Sequence, residues 1–186
     1  MGTCITRAAL LAIAVAGFSS TGCSGWFRAN SGYAYSTAGQ VNHSGPMVGV
    51  DTILTVKPHS FFNHSPKKFP IALHTGLEGV LASDLKTFSW TTGAAYFSVP
   101  RPVGGYIIAG SNGHFDLVNG KADFGNFQPY AEIGIATPFG ERDEDTDGPL
   151  FTFGTEFMFM VHYLAPPSER TDGLLILKFG IGWEKN

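Results

Sequence analysis

Between Phe151 and Tyr163 the chain alternates without a break. Phe151, Phe153, Thr155, Phe157, Phe159, Val161 and Tyr163 share one parity, and Thr152, Gly154, Glu156, Met158, Met160 and His162 share the other. Side chains of a strand point alternately to its two faces, so this segment predicts a strand with one bulky apolar face and one small or polar face. The same division recurs elsewhere. Ile71, Leu73, Thr75, Leu77 and Leu81 oppose Ala72, His74, Gly76, Glu78 and Ala82. Phe127, Ala131, Ile133 and Ile135 oppose Gln128, Tyr130, Glu132 and Gly134, and Leu175, Leu177, Phe179, Ile181 and Trp183 oppose Lys178, Gly180 and Gly182. Read this way, the chain predicts strands over 31–41, 46–57, 70–82, 86–99, 103–118 (interrupted), 127–138, 150–164 and 173–184. That is about eight strands, the number in the smallest common membrane barrels. Ser111-Asn112-Gly113 and Asn119-Gly120 are turn signals, so the fifth strand is open to being a separate hairpin.

A half-buried strand of a soluble protein hides its apolar face under a second layer, whereas a membrane barrel turns that face to lipid and fills its interior with the other parity. The second parity here is repeatedly small or charged, which suits a narrow barrel with room inside for only a few long side chains. The expected fold is therefore all-β, a closed antiparallel up-and-down barrel preceded by a signal peptide.

The chain start sets the compartment. Arg7 precedes a short apolar run, Ala8–Phe18, and a Ser/Thr/Gly stretch ends in Cys23. This is the layout of an export signal, and the run is too short to cross a bilayer as a helix, which needs about 20 residues. Ser20-Thr21-Gly22-Cys23 resembles the lipobox of bacterial lipoproteins, with Ser20 where that family usually carries Leu; Ala14-Val15-Ala16 is an alternative site for ordinary signal peptidase. Of the two cysteines, Cys4 leaves with the leader, so the mature chain has one thiol and no internal disulfide. The resemblance implies diacylglycerol on Cys23, with palmitate-type acyl chains, and Ser24 after it favours the outer membrane. The expected organisation is a leader at 1–22, a tether at 23–30 and the barrel at 31–186.

Composition agrees. Glycine (24) and phenylalanine (16) are abundant and only 15 % of residues are charged, so short Gly- and Pro-punctuated β segments dominate over helix formers. The net charge of −3 and the lack of a basic stripe argue against nucleic acid as a partner. Outer-membrane lipid is the expected partner of a monomeric chain, with an envelope protein partner left open.

With alternating strands, small or charged interior positions and an export leader, the chain resembles the small outer-membrane barrels of the OmpA- and OmpX-like kind. Two features depart from their pattern. Trp183 is followed by Glu184-Lys185-Asn186 where such barrels end on an aromatic residue, and the connections Pro58–Phe69 and Phe139–Pro149 are long for the side that carries both chain ends.

Candidate chemistry is sparse. Glu78, Glu132, Glu156 and Lys178 fall on the small-residue parity of four strands, and buried charges are costly unless paired. They are expected to form an interior polar network with His74 and His162. Paired carboxylates also serve glycoside hydrolysis as acid and base, but a filled eight-stranded interior leaves no cleft for a sugar. Asp143, Asp145 and Asp147 precede Gly148 with the spacing that opens a calcium loop; position twelve is Gly154 rather than Glu, so a solvated acidic loop or a weak Ca²⁺ site are the readings. His43-Ser44, His64-Ser65 and Ser111-Asn112-Gly113-His114 supply residue types used by barrel enzymes that modify lipid A, without the His-x-Ser-Asn arrangement of the deacylases; turn formation is the plainer explanation. Trp90, Tyr96, Tyr106, Tyr163 and Trp183 are candidates for interfacial girdles, or ordinary strand aromatics. The leading expectation is an outer-membrane-associated barrel lipoprotein with a structural or interaction role and no catalysis. Its rivals are a lipid-tethered lipocalin-like barrel holding an apolar ligand inside, and a lipid A-modifying enzyme.

Overall fold

The computed structural model describes residues 24–36, 44–55, 71–81, 86–97, 103–118, 121–140, 147–161 and 171–185. Eight antiparallel strands run β1 Ser24–Ser36, β2 Gly45–Thr55, β3 Ile71–Leu81, β4 Lys86–Phe97, β5 Gly104–Val118, β6 Lys121–Pro138, β7 Gly148–Val161 and β8 Thr171–Lys185. Each pairs with its sequence neighbours and β1 pairs with β8, which closes the barrel. Closure removes the free strand edges that would otherwise seek a partner. The leader, Cys23, His162, Asp143 and Asp145 lie outside the described residues.

The alternation read from the sequence is the inside–outside division of the wall. On β7 the pattern is buried and outward in strict turn from Gly148 to Val161. Leu73, Leu77, Ile133, Phe157, Phe179 and Ile181 are exposed on the outside, while His74, Glu78, Glu132, Glu156 and Lys178 are buried.

Three boundaries differ from the sequence expectation. β1 begins at Ser24, so residues 24–30 are barrel wall and not tether. Its inward positions Trp26, Arg28 and Asn30 are buried, and Arg28 in that parity hides an otherwise regular alternation. β6 begins at Lys121 rather than Phe127, because 121–125 pair with β5. Third, Ser111-Asn112-Gly113 is no turn. The register slips between Asn112↔Gln128 and His114↔Gly125, setting Gly113 opposite Asn126 and Phe127. This is a β-bulge on β6, whose Asn126 and Phe127 oppose the single Gly113, and the turn-prone residues sit on the unbroken partner strand β5. Phe127 takes the left-handed φ of 57° that the bulge demands and projects outward, 91 % exposed. Gly113 lies beneath the Trp90 indole, where a Cβ would come within 2.3 Å of the ring.

β1 starts and β8 ends at one rim, the chain-end rim, on which side residues 56–70, 98–103 and 139–147 link successive strands; residues 37–44, 82–85, 119–120 and 162–170 link them on the opposite side. The long connections on the terminal side are thus a real feature of an eight-stranded wall.

Gly113→Leu is expected to push Trp90 off the wall and cost about 1–3 kcal/mol, the usual penalty for overpacking. Urea unfolding followed by tryptophan fluorescence reads both effects, and an unchanged emission maximum with unchanged stability would contradict the bulge contact.

Candidate functional site

Inside the wall the charged residues converge. The ammonium of Lys178 on β8 donates to Glu78 on β3 at 2.5 Å, to Glu156 on β7 at 2.5 Å and to Glu132 on β6 at 3.1 Å. Glu132 and Glu156 are direct cross-strand partners, and Gly154 opposes Lys178 in the adjacent ladder, so register alone brings these three strands' charges together. Glu78 joins from across the lumen.

A second half was not foreseen from the sequence. Arg28 on β1 grips Asp51 on β2 with two parallel hydrogen bonds, both 2.7 Å, the fork geometry that makes guanidinium–carboxylate pairs strong. Its remaining nitrogen Nη1 lies 3.2 Å from Glu132, linking the two halves. Asn30 donates to Asp51 at 2.7 Å. The hydroxyls of Tyr106 and Tyr130 donate to the two oxygens of Glu132 at 2.8 and 2.9 Å, and the guanidinium of Arg28 sits 4.8 Å from the Tyr106 ring centre. Neither stands out in the sequence: Arg28 falls in the segment 23–30 that the sequence predicts as a tether, and Asp51 is a lone acid in a short strand. Both carry the inward parity of their strands, which was the available signal.

Tyr106 was a candidate for an interfacial girdle; instead it points inward and is 2 % exposed. The hydroxyl end of its ring lies against Gly134 and Gly154, where an added Cβ would stand 2.5 Å from the phenol oxygen. The two glycines make the slot that lets the hydroxyl reach Glu132. Trp90, Tyr96 and Trp183 do face outward, and Tyr163 lies outside the described residues.

His74 is buried and stacks on Tyr130 at 5.7 Å, with Nε2 3.9 Å from Asp51. Neither ring nitrogen has a hydrogen-bond partner among the described residues. Asp51, His74 and Glu132 place one ligand atom each within 4.8 Å of one another. They make a poor metal centre, because the oxygens of Asp51 and Glu132 already accept from Arg28, Asn30, Tyr106, Tyr130 and Lys178, two of them cationic. The arrangement is an ion-pair plug.

Apolar tiers seal it. Toward the chain-end rim lie Trp26, Ile53, Ile108 and Leu150; toward the other rim lie Met47, Met158, Leu174 and Ile176, each no more than 1 % exposed. The side chains of Arg28, Asp51, Glu78, Glu132, Glu156 and Lys178 are at most 2 % exposed. Neither a substrate nor a hydrated ion reaches these carboxylates through the described wall.

The remaining sequence candidates are dispersed. His114, in the Ser-Asn-Gly-His stretch, points inward on β5, 2.9 Å from the side-chain amide of Gln128 and 3.4 Å from Asp116. Ser44 accepts a hydrogen bond from the backbone N–H of Ser36. His43, His64 and Ser65 lie outside the described residues. Asp147 is exposed just before β7, and the strand that follows already includes Gly154, the twelfth position of the supposed calcium loop.

With the closed wall and its inward charges established, comparison with known proteins adds one result. The structure resembles Neisserial surface protein A (NspA), with a TM-score of 0.61 and 13 % sequence identity, over 87 % of this chain and 98 % of that one. The fold is that of a small outer-membrane barrel. Ail, the attachment invasion locus protein of Yersinia pestis, aligns over the same shares at 10 % identity and a TM-score of 0.44. No family model and no curated protein sequence matches the chain.

Lys178→Met leaves three carboxylates without their shared cation and is expected to cost roughly 3–5 kcal/mol, as breaking buried pairs does. Adding Glu78→Gln and Glu156→Gln should restore part of the loss. Urea unfolding of the three proteins tests this, and a triple variant weaker than Lys178→Met alone would show that the glutamates do not depend on Lys178.

Proposed function

We propose that the chain is a bacterial outer-membrane β-barrel protein with a structural or interaction role, anchored additionally by lipid on Cys23. One observation carries the reading: the wall is inside-out relative to a soluble protein. Among the described residues its interior holds Arg28, Lys178 and eight buried carboxylates, four of them in the central plug, while bulky apolar side chains stand outside, among them Leu73 at 66 %, Ile181 at 63 % and Ile133 at 60 % exposed. Exposed apolar patches on soluble monomers rarely exceed a few hundred Å², and here the apolar parity surrounds the barrel. In a bilayer that face meets acyl chains, and the polar backbone is satisfied by ladder bonds in a wall with no edge.

The same polarity argues against the two rivals. A lipocalin-like carrier needs its apolar parity inward around a ligand, and this interior is packed with ion pairs and sealed by apolar tiers. A lipid A-modifying enzyme needs its histidine where lipid can reach, whereas His114 is buried inside the barrel. The resemblance in fold to a Neisserial surface protein supports a place in the outer membrane. Self-closure between β1 and β8 leaves no edge for a second copy, which favours a monomer.

Lipidation of Cys23 acquires a geometric meaning from β1. Because the wall starts at Ser24, there is no spacer, and the acyl chains would enter the bilayer at the rim itself. Such an anchor suits an embedded barrel better than a soluble domain held at a distance. Carbonate extraction of membranes, with gels of heated and unheated samples, tests the reading on wild type and Cys23→Ala. We expect Cys23→Ala to stay in the outer membrane and to migrate faster unheated. Release to the periplasm would mean that lipid alone holds the protein.

Facing is tested separately. Phe157→Arg, on the outer wall, is expected to cost about 2–4 kcal/mol near the bilayer midplane and to deplete the heat-modifiable form. Its neighbour Glu156→Gln, inside, should retain that form, and equal or reversed effects would refute the assignment of the two faces.

A further inference from the structure

The outer wall contains a groove that its own packing does not require. It spans β4 to β7, has a volume of about 530 Å³, and is flanked by Tyr96, Ile107, Ile133, Ile135 and Phe153 around the outward position Gly105. The cross-strand pairs Tyr96↔Ile107, Ile107↔Ile133 and Ile135↔Phe153 set these flanks. Its floor is the backbone of Gly134 and Gly154, backed from inside by Tyr106.

The three glycines have different standing. Gly134 and Gly154 are needed by the protein, since a side chain at either would strike Tyr106. Gly105 is not. A Cβ there would meet only the carbonyl oxygen of Gly134, at an ordinary 4.0 Å, and its backbone is outside the left-handed region. Nearly any residue fits position 105 without strain, and a large one would fill the groove. With glycine there, the space stays open to the surroundings of the wall.

We infer that this groove seats one acyl chain of a phospholipid from the leaflet at the chain-end rim, an inference that rests on the membrane reading above. No charged residue lines the groove; its polar groups are the Tyr96 hydroxyl and Thr155, so the occupant is apolar along its length. The groove starts by Gly105 and Tyr96, close to the β5 start and the β4 end at that rim, and runs toward Ile133 and Thr155 farther into the wall. That is the course of an acyl chain descending from a headgroup at the interface. A flexible hydrocarbon chain fits a concave slot between branched and aromatic side chains, whereas the convex wall of a second barrel does not enter it. The rim end of the groove lies at β5, four strands from β1 where the acyl chains on Cys23 would start, so a free phospholipid is the occupant assigned, and Cys23→Ala separates the two sources, since the far wall on β7 is two strands from β1.

The test inserts the chain into nanodiscs of phosphatidylethanolamine and phosphatidylglycerol, releases it into mild non-ionic detergent and weighs it by native mass spectrometry. Wild type is compared with Gly105→Trp, the smaller Gly105→Leu, and Gly79→Trp, which fills another open outward glycine position on β3. Heat-modifiable migration shows in parallel which variants are folded. Wild type and Gly79→Trp should each retain one phospholipid, and the folded Gly105 variants at least tenfold less. Equal retention by folded wild type and Gly105→Leu overturns the groove and leaves the membrane reading intact. A dimer peak that Gly105→Trp abolishes overturns it in favour of a second copy. Retention that vanishes with Cys23→Ala overturns it in favour of the attached lipid. Failure of wild type to insert overturns both the groove and the membrane reading.

Discussion

Every part of this molecule depends on a buried charge finding its counter-charge. Eight strands closing on themselves create a lumen that side chains fill, and an ionised group placed there loses water worth many kilocalories per mole unless the protein replaces it. Lys178 is held by Glu78, Glu132 and Glu156, and Arg28 by Asp51 and Glu132. Between them the ion pairs engage β1, β2, β3, β6, β7 and β8, and Tyr106 adds β5. Sliding any of these strands by one residue would turn its charge out into the apolar face and a bulky side chain into the plug. The cluster therefore selects a register, whatever its net contribution to stability.

The exterior follows from the same alternation. Once the polar parity is committed inward, the apolar parity must face outward, and water is a poor solvent for that surface. Under the proposed membrane reading, protein and bilayer exchange the roles of core and solvent: lipid would cover the outward apolar residues, while buried apolar side chains flank the plug inside. Among the described residues, the six charged side chains of the plug are at most 2 % exposed.

At the wall, Tyr106 joins the two regions. From inside it supports Glu132, and its ring occupies the slot left by Gly134 and Gly154. From outside the same glycines thin the wall and form the floor of the groove beside Gly105. The space needed by an interior phenol thus shapes the outer surface of the wall. The long connections at the rim where β1 starts and β8 ends add a second unusual feature, since the larger share of connecting sequence falls on the side where Cys23 would be anchored.

The alternation by itself determined the all-β class, about eight strands, and which face of β3, β6, β7 and β8 carries charge, because a period of two leaves only two faces to choose between. It also placed Glu78, Glu132, Glu156 and Lys178 on the polar parity. It did not find Arg28, hidden in a segment taken for a tether, or the inward Tyr106, whose aromatic character suited either face. It offered Ser111-Asn112-Gly113 as a turn, whereas β5 continues through them opposite a bulge on β6, and Gly113 leaves room for the Trp90 ring. Only the tertiary structure decided these points, for one reason. Parity says which way a side chain points, but which charges meet depends on register, strand tilt and closure across the lumen, and those are set by all eight strands at once.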